Sequence, residues 1–254
     1  MGVLDDKVAV VTGAARGIGR AVAEAYAGEG ATVVVSDLDG ESAARVADAL
    51  GGGASSTACD VTDEEAVASL MDGAIERHGR LDVMVANAGV GRPRPLLEMD
   101  LEEWRSVTSV NLDGVFLCTR HAGRVMSAAG GGVIVNMCSI TAFSGFPMLA
   151  HYAAAKAGVR SLTQTAAVEL RDAGVRVNCV CPGFVGTDMV ESSKPQFEEM
   201  LGLEDFDAAI EAKQGRYGTA EEVARLAVFL ASERSAFSTG GAFTLDGGAT
   251  ASLL

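Results

Sequence analysis

The chain of 254 residues is long enough to bury a full hydrophobic core, and 48% of its residues are hydrophobic, which is typical of a globular protein and excludes a largely disordered one. Its 20 Lys and Arg against 34 Asp and Glu give a formal net charge of −14, which repels nucleic-acid phosphates and anionic lipid, so we expect neither as a partner. The N-terminus lacks a basic signal-peptide segment, and no apolar run reaches the roughly 18 residues of a membrane helix. We therefore expect a cytoplasmic protein.

The cysteines and histidines show no metal-ligand spacing. The cysteine count is odd, there is no Cys-x-x-Cys, and the three histidines are scattered. We interpret the cysteines as small buried hydrophobic residues, in preference to disulfide partners or metal ligands, and expect no metal site. They are Cys59, Cys118, Cys138, Cys179 and Cys181.

The first predicted strand, Lys7–Val11, runs directly into a glycine-rich turn and an amphipathic helix. Gly13, Gly17 and Gly19 have the spacing G-x-x-x-G-x-G. Glycines permit a tight turn and let a pyrophosphate approach backbone N–H groups at a helix N-terminus, where the helix dipole favours an anion. The pattern alone is weak evidence, but its position between a strand and a helix favours a dinucleotide site.

The second predicted strand, Ala31–Ser36, ends at an acidic residue, Asp37. An acid about 20 residues beyond the glycines accepts hydrogen bonds from ribose hydroxyls and repels a 2′-phosphate, which favours NAD over NADP. Arg16, inside the turn, could instead bind a 2′-phosphate, so NADP stays open. A structural alternative is that Asp37 caps a helix beginning near Glu41.

Two further ligand-binding positions follow the next two predicted strands. Asp60 could accept a hydrogen bond from an adenine amino group, and Asn87-Ala88-Gly89 could contact a ligand through its backbone. Ligands bind outside the carboxyl ends of strands in an open parallel sheet. These strands are predicted at Ser55–Cys59, with a helix from Asp63, and at Leu81–Ala86, with a helix from about Leu101.

Asn111 lies in the middle of the predicted helix that also carries Trp104, Val107 and Leu112. Asparagine is a poor residue inside a helix, because its amide competes for backbone hydrogen bonds. It is either a tolerated polar residue or the mark of a local distortion.

The segment from Ser139 to Lys156 carries the residues best suited to chemistry. The strand Val133–Cys138 delivers Ser139, whose hydroxyl could donate to a substrate oxygen. Tyr152 and Lys156 are four residues apart, so on a helix they share one face. A nearby ammonium lowers the pKa of a phenol from its ordinary value of about 10 and makes it a general acid or base. The alternative is a packed tyrosine and a solvated lysine on a surface helix.

The remaining elements complete one predicted domain over residues 1–254. A strand at Val175–Val180 leads to Cys181-Pro182-Gly183-Phe184. The polar stretch Ser192–Arg216 predicts two short mobile helices, and we interpret residues 188–216 as a lid over the substrate. A capping box, Thr219 to Glu222, begins the last helix, and the last strand is predicted at Ala242–Leu245.

Taken together, these residues resemble the short-chain dehydrogenase/reductase family of the classical type. The resemblance covers almost the whole chain, and its motifs occur in the order and at the spacing of the family. The matching motifs are TGAARGIG at 12–19, Asp60, NAG at 87–89, Asn111, Ser139, Tyr152 with Lys156, PG at 182–183, Thr187 and DGG at 246–248.

The resemblance implies a Rossmann fold with a doubly wound, seven-stranded parallel sheet and helices on both faces. It implies a catalytic tetrad in which Tyr152 transfers a proton, Ser139 orients the substrate oxygen, Lys156 lowers the tyrosine pKa and binds the nicotinamide ribose, and Asn111 holds a water that connects Lys156 to solvent. The implied coenzyme contacts are Gly13, Arg16, Gly17, Ile18, Gly19, Asp37, Asp60, Val61, Asn87, Ala88, Gly89, Tyr152, Lys156, Pro182, Gly183, Val185 and Thr187.

The leading functional hypothesis is an NAD(H)-dependent oxidoreductase for a secondary alcohol and its ketone, cyclic or otherwise bulky and apolar. The expected substrate pocket contains Ser139, Phe146, Phe184 and Met189, with Phe143 and Met148 as further apolar candidates. The alternatives are a 3-oxoacyl-thioester reductase that uses NADPH, which the acidic charge disfavours, and a non-catalytic dinucleotide sensor. The resemblance also implies a homotetramer, with the apolar tail at 249–254 at an interface.

Overall fold

The computed structural model describes residues 2–251 and contains one parallel sheet of seven strands in the order β3-β2-β1-β4-β5-β6-β7. The predicted fold class is confirmed. The central strands are short runs rich in β-branched residues, as expected for strands buried on both faces. The seven strands are β1 Val8–Thr12, β2 Thr32–Asp37, β3 Ser55–Ala58, β4 Val83–Ala86, β5 Gly132–Met137, β6 Val175–Pro182 and β7 Ala242–Leu245.

Helices cover both faces of the sheet. Successive residues of β1 point to opposite sides: Ala9 and Val11 belong to one core, with α1, α2 and α10, whereas Val8 and Val10 belong to the other, with α3, α5 and α6. The helices are α1 Gly17–Gly28, α2 Gly40–Leu50, α3 Glu64–His78, α4 Leu101–Thr108, α5 Gly114–Ala129, α6 Ala150–Leu170, α7 Asp188–Glu191, α8 Lys194–Leu201, α9 Phe206–Gln214 and α10 Ala220–Ala231.

Helix caps settle two of the sequence interpretations. The capping box at Thr219 and Glu222 is confirmed, since each side chain accepts from the other residue's backbone N–H. The cap of α2 is Asp39, whose carboxylate accepts from Ser42 N at 3.0 Å. The alternative role of Asp37 as this cap is therefore wrong.

The strand order places a ligand-binding crevice at β1. Because β2 and β4 flank β1, the chain turns to opposite sides of the sheet after this point, and a crevice opens at the carboxyl ends of the strands. The glycine turn after β1 and the Asn87 segment after β4 meet at this edge.

The two short helices predicted in Ser192–Arg216 are confirmed as α8 and α9, and a further short helix, α7, precedes them within residues 188–216. Their apolar side chains join a separate cluster, which includes the buried Phe197, Phe206 and Ile210. Residues 188–216 are thus attached to the rest of the protein through an aromatic core of their own. Across residues 2–251, the structure contains no helix that is both long and apolar enough to cross a membrane.

Candidate active site

The glycine turn forms a cradle that only glycine can build. Gly13 and Gly17 have φ angles of +62° and +55°, a region that side chains disfavour. A Cβ at Gly13 would lie 2.8 Å from Ala88 Cα, and one at Gly19 would lie 2.2 Å from Gly13 O. Helix α1 begins here without a side-chain cap and without an acidic residue in its first turn. Its N–H groups therefore remain available to an anion, and the turn fits a pyrophosphate.

Asp37 lies at the end of β2, beside this cradle. Its carboxylate accepts from Ala15 N at 3.0 Å and from Asp39 N at 3.1 Å, so it is fixed against the turn. Asp60, after β3, is exposed, and its Oδ1 accepts from the backbone and hydroxyl of Thr62 at 2.9 and 2.7 Å. Both carboxylates are at the carboxyl edge of the sheet, as the sequence predicts for contacts to an adenosine.

Asn87 ties the end of β4 to the glycine turn. Its Nδ2 donates to Thr12 O at 2.9 Å and to Gly13 O at 3.1 Å. The buried hydroxyl of Thr12 accepts from the N–H groups of Asn87 and Ala88 at 3.1 and 3.2 Å. The sequence interpretation gave Thr12 no separate role, although its hydroxyl at the end of a predicted strand could have indicated a hydrogen-bonding role.

Asn111 lies in a π-helical turn, Ser109–Asp113, between α4 and α5. Of the two interpretations of this residue, the local distortion is confirmed. Its amide nitrogen donates to Val107 O at 2.9 Å and to Val90 O at 2.8 Å. Its Oδ1 is buried and finds no hydrogen-bond donor among residues 2–251. A buried acceptor without a partner is costly, and this one fits the water that the family resemblance implies.

Ser139, Tyr152 and Lys156 come together where β5 ends and α6 begins. Ser139 is 8% exposed, and its Oγ accepts from Thr141 N at 3.2 Å. Lys156 is 2% exposed, so the alternative of a solvated lysine is wrong. Its Nζ donates to Met137 O at 2.8 Å and lies 5.5 Å from the centre of the Tyr152 ring.

Burial controls the pKa values of this pair. It raises the pKa of Tyr152 to about 12, against the lowering effect of a hydrogen bond with Ser139. It lowers the pKa of Lys156 to about 8. The sequence interpretation assigned the lowering of the phenol pKa to Lys156, whereas here the lowering comes from Ser139 and is smaller than the effect of burial.

His151 is a residue near this site that sequence reasoning missed. Its imidazole is 1% exposed, accepts from Tyr152 N at 2.8 Å and also hydrogen-bonds the backbone of Arg92. Burial lowers its pKa, which favours the neutral ring that this contact needs. His151 therefore fixes the loop after β4 to the helix turn that carries Tyr152.

The loop after β6 closes the site on the side of the glycine turn. Gly183 N donates to Leu245 O at 3.0 Å. Thr187 lies close to the glycine turn, because a Cβ placed on Gly17 would be in van der Waals contact with the Thr187 side chain. Val185 is buried and forms a bridge with Gly218. The other predicted contacts flank the crevice: Ile18 packs on the core beneath α1, and Val61 is buried against Gly114.

Gln214, at the end of α9, fixes this loop and was also missed. Its Oε1 accepts from Phe184 N and its Nε2 donates to Phe184 O, both at 2.8 Å. The Gln214 amide thus makes the two backbone hydrogen bonds to Phe184 that a residue of a neighbouring strand would make. No sequence pattern indicates this contact, because the two residues are 30 positions apart.

A cavity of about 130 Å³ opens beside Ser139 and Tyr152. The predicted pocket residues Phe146, Phe184 and Met189 line it, whereas Phe143 and Met148 do not. Phe146 packs edge-to-face on Phe184 at 5.4 Å between ring centres, and on Phe197 of the lid at the same distance. The side chains lining the cavity are apolar or carry a hydroxyl, and none is charged within the described chain.

All five cysteines are buried free thiols, as predicted. Three of them, Cys138, Cys179 and Cys181, form a group whose sulfur atoms all lie within 4.8 Å of one another. The sequence interpretation treated them as separate packing residues and did not anticipate this group.

Comparison with known proteins agrees with the geometry. Residues 13–250 match the family model described as enoyl-(acyl carrier protein) reductase. The chain is 47% identical over 253 residues to cis-4-hydroxycyclohexanecarboxylate dehydrogenase of Sinomonas cyclohexanicum, covering 97% of both chains. It is 39% identical to a 3-oxoacyl-[acyl-carrier-protein] reductase of Thermotoga maritima, over 96% of this chain and 98% of that one. A solved short-chain type dehydrogenase/reductase from Mycobacterium marinum superimposes with a TM-score of 0.89 at 35% identity, covering 98% of this chain and 97% of that one.

The chain belongs to the short-chain dehydrogenase/reductase family of the classical type. It is an oxidoreductase, an alcohol dehydrogenase or ketone reductase, of a family that uses NAD or NADP with small-molecule substrates. The similar proteins differ in substrate, so the family alone does not assign one.

Proposed function

We propose that the enzyme interconverts a secondary alcohol and its ketone on a cyclic or otherwise bulky apolar substrate, with NAD(H) as coenzyme. The observation that carries the proposal is the cavity beside Ser139 and Tyr152, with walls formed by Phe146, Phe184 and Met189. Such walls bind by burying apolar surface, while a hydroxyl and a phenol at one end orient a single oxygen.

The proton chemistry belongs to Tyr152. A phenol with a pKa of about 12 is protonated at neutral pH, so Tyr152 can donate a proton to a ketone oxygen. Ser139 donates a second hydrogen bond to the oxygen as charge develops. The bound coenzyme would accept or supply the hydride at the neighbouring carbon.

Lys156 and Asn111 support the phenol. The ammonium of Lys156 faces the Tyr152 ring, so it stabilises the phenolate when the proton leaves. The unpaired Oδ1 of Asn111 can hold a water through which that proton is restored.

NAD is favoured by the carboxylate at the end of β2. Asp37 is fixed beside the glycine turn, where it would accept from ribose hydroxyls and repel a 2′-phosphate. Arg16, at the N-terminal end of α1, is the one feature near the turn that favours NADP.

The name of one relative supports a cyclic substrate, and the lining of the cavity supports an uncharged one. The Sinomonas relative is named for an alcohol on a six-membered carbon ring that also bears a carboxylate. In this chain no charged residue is among those that line the cavity in residues 2–251. A buried carboxylate without a cation is costly, so we infer a preference for neutral rings.

A 3-oxoacyl-thioester reductase is the second candidate, favoured by the Thermotoga relative. An acyl carrier protein would require exposed cations near the mouth of the cavity. Arg94 is already paired with Glu98 at 3.5 Å and with Glu103 at 3.3 Å, and the net charge is −14. Both facts weigh against this function.

The test is turnover measured by the absorbance of the reduced nicotinamide, with NAD and NADP compared on one panel. The panel contains cyclohexanol and its 4-methyl and 4-carboxylate derivatives, linear secondary alcohols, and an acetoacetyl thioester for the reverse reaction. We expect the neutral rings with NAD to give the highest kcat/KM. Activity confined to the thioester with NADPH would replace this proposal by the second candidate.

Tyr152→Phe is the matched variant, because it removes one oxygen and keeps the ring in place. We expect turnover to fall by about 10²-fold or more, while coenzyme affinity, measured by calorimetry, stays within a few-fold. Activity close to that of the wild type would refute the assignment of the proton donor.

A further inference from the structure

Three buried thiols lie directly behind the candidate active site. Cys138 follows β5 and precedes Ser139, while Cys179 and Cys181 belong to β6. In the parallel register Met137 is beside Val180, so Cys138 is beside Cys181, and alternate residues of β6 face the same side. The exposed fractions of the three are 2%, 0% and 0%.

The sulfur atoms have nearly the spacing of a three-coordinate metal centre. A metal–sulfur bond of about 2.3 Å places three sulfurs in a plane about 4.0 Å apart. Cys179 and Cys181 are separated by 4.0 Å, and all three sulfurs are within 4.8 Å of one another. Movements of less than about 1 Å would therefore close the site around an ion.

The surroundings offer charge compensation. Three thiolates and a divalent ion carry one net negative charge, and the buried ammonium of Lys156 interacts electrostatically with all three cysteines. Its Nζ donates to Met137 O at 2.8 Å, one residue before Cys138. A buried ionic group needs such a partner, and here it is already in place.

We propose that Cys138, Cys179 and Cys181 form a binding site for thiophilic metal ions such as Zn²⁺, Cd²⁺ and Cu⁺, and that its occupation inhibits the enzyme. Each thiol releases its proton to solvent on binding, and three metal–sulfur bonds form without any change in oxidation state. The site is distinct from the dinucleotide cradle.

Inhibition follows from the contacts of Cys138. Its Sγ donates to Lys156 O at 3.2 Å, and its backbone is joined to Ser139. Binding removes the thiol proton, breaks this hydrogen bond and pulls the sulfur towards β6. The Ser139 hydroxyl then moves with Cys138, and the Lys156 turn of α6 loses a contact that holds it in place. A displacement of about 1 Å at reacting groups lowers turnover strongly.

The experiment is a titration of the purified full chain with Cd²⁺. Binding is read from the ultraviolet charge-transfer absorbance of cadmium thiolates and by calorimetry, both independent of turnover. We expect one Cd²⁺ per chain, and a loss of turnover by about tenfold or more at the same equivalence. A full charge-transfer signal with unchanged turnover would refute the inhibitory role, and no signal at stoichiometric Cd²⁺ would refute the site.

Two variants and a matched control locate the ion. Cys181→Ala and Cys179→Ala should each lose the absorbance and the Cd²⁺ sensitivity, with turnover compared to that of the same variant without metal. Cys118→Ala removes a thiol that is equally buried but outside the group, and should behave as wild type. If circular dichroism shows that either cluster variant is folded, and that variant still binds Cd²⁺ as the wild type does, the proposed ligands are wrong.

Discussion

Lys156 carries its ammonium group in a place where charge is unfavourable. Burial lowers its pKa to about 8, whereas an unfolded lysine has a pKa of about 10.4. Between these values the unfolded chain binds more protons than the folded one, so the cost of burying the charge falls as the pH rises. Below pH 8 the full cost is present.

We therefore predict that Lys156→Met raises the free energy of unfolding at pH 7, by on the order of 2 kcal/mol, while abolishing turnover. The difference from wild type should shrink as the pH rises from 8 towards 10.5. Urea unfolding at pH 7, 8, 9 and 10 measures it.

Lys7→Met is the control for loss of a positive charge, because Lys7 is 38% exposed and forms only a long ion pair of 3.8 Å with Asp82 among the interactions described. A Lys156→Met protein that is less stable than wild type at pH 7 would contradict the prediction. It would mean that the hydrogen bond to Met137 outweighs the cost of the buried charge.

At the residue scale, the sequence predicts what local spacing and motif resemblance encode. Tyr152 and Lys156 four residues apart, and the glycines after β1, are of this kind. His151 and Gln214 could not be predicted, because their function depends on backbone atoms of Arg92 and Phe184 that only the folded chain brings near.

At the scale of the element, Asn111 is a residue of poor helix propensity that lies at a distorted helical turn. Its residue type does not specify which form the distortion takes. The sequence left a distortion there as one of two interpretations. In the π-helical turn that forms, the amide of Asn111 donates to Val90 O, which lies in another loop. Helix propensity is a local quantity, and this contact is not local.

The segment that we interpret as a lid, residues 188–216, contains a polar clamp formed by Lys194, Glu191 and Asp207 with Tyr217. Lys194 Nζ lies 2.7 Å from carboxylate oxygens of both Glu191 and Asp207. The Tyr217 hydroxyl donates to Asp207 at 2.8 Å, and the ammonium is 5.0 Å from the Tyr217 ring centre. The clamp joins α7, α8 and α9, which contribute Met189, Val190 and Phe197 to the lining of the cavity.

We predict that Lys194→Met loosens this lid. The KM for the alcohol should rise by about twofold to fivefold, the range expected for an exposed ion pair, with kcat nearly unchanged. For the wild type, KM should also rise with added salt, since salt screens exposed charges. Initial rates at two ionic strengths measure both effects.

Arg171→Met is the matched control, because it removes an exposed ion pair with Asp172, at 3.1 Å, far along the chain from the lid. It should leave KM and its salt dependence unaltered. If Lys194→Met has the same KM as wild type at low salt, the clamp does not hold the lid.

At the scale of the whole molecule, the family resemblance predicted the seven-stranded parallel sheet, and the structure confirms it. Lateral register was beyond the sequence. Cys138 and Cys181 become neighbours only because Met137 pairs with Val180, and a different register would have separated the thiols.

Assembly is the remaining question at this scale. Strand β7 is an edge of the sheet in the described chain. Phe237, which precedes β7 in the chain, is fully exposed, and Phe229 of α10 is 38% exposed. Open strand edges and exposed aromatic rings favour association. The predicted interface tail at 249–254 lies partly outside the described residues.

We predict a homotetramer of four 26.0-kDa chains, stabilised by salt because each chain carries a charge of −14. Sedimentation velocity at ionic strengths of roughly 0.01 M and roughly 0.15 M measures it, and the larger species should gain at the higher value.

Phe237→Glu should yield smaller species at both ionic strengths, because it places one more negative charge at an apolar edge. Leu97→Glu adds the same charge at an apolar residue that is 98% exposed elsewhere and should leave the mass unchanged. A wild-type protein that sediments as a single chain at both salt concentrations would rule the tetramer out, and an unchanged mass for Phe237→Glu would move the interface away from β7.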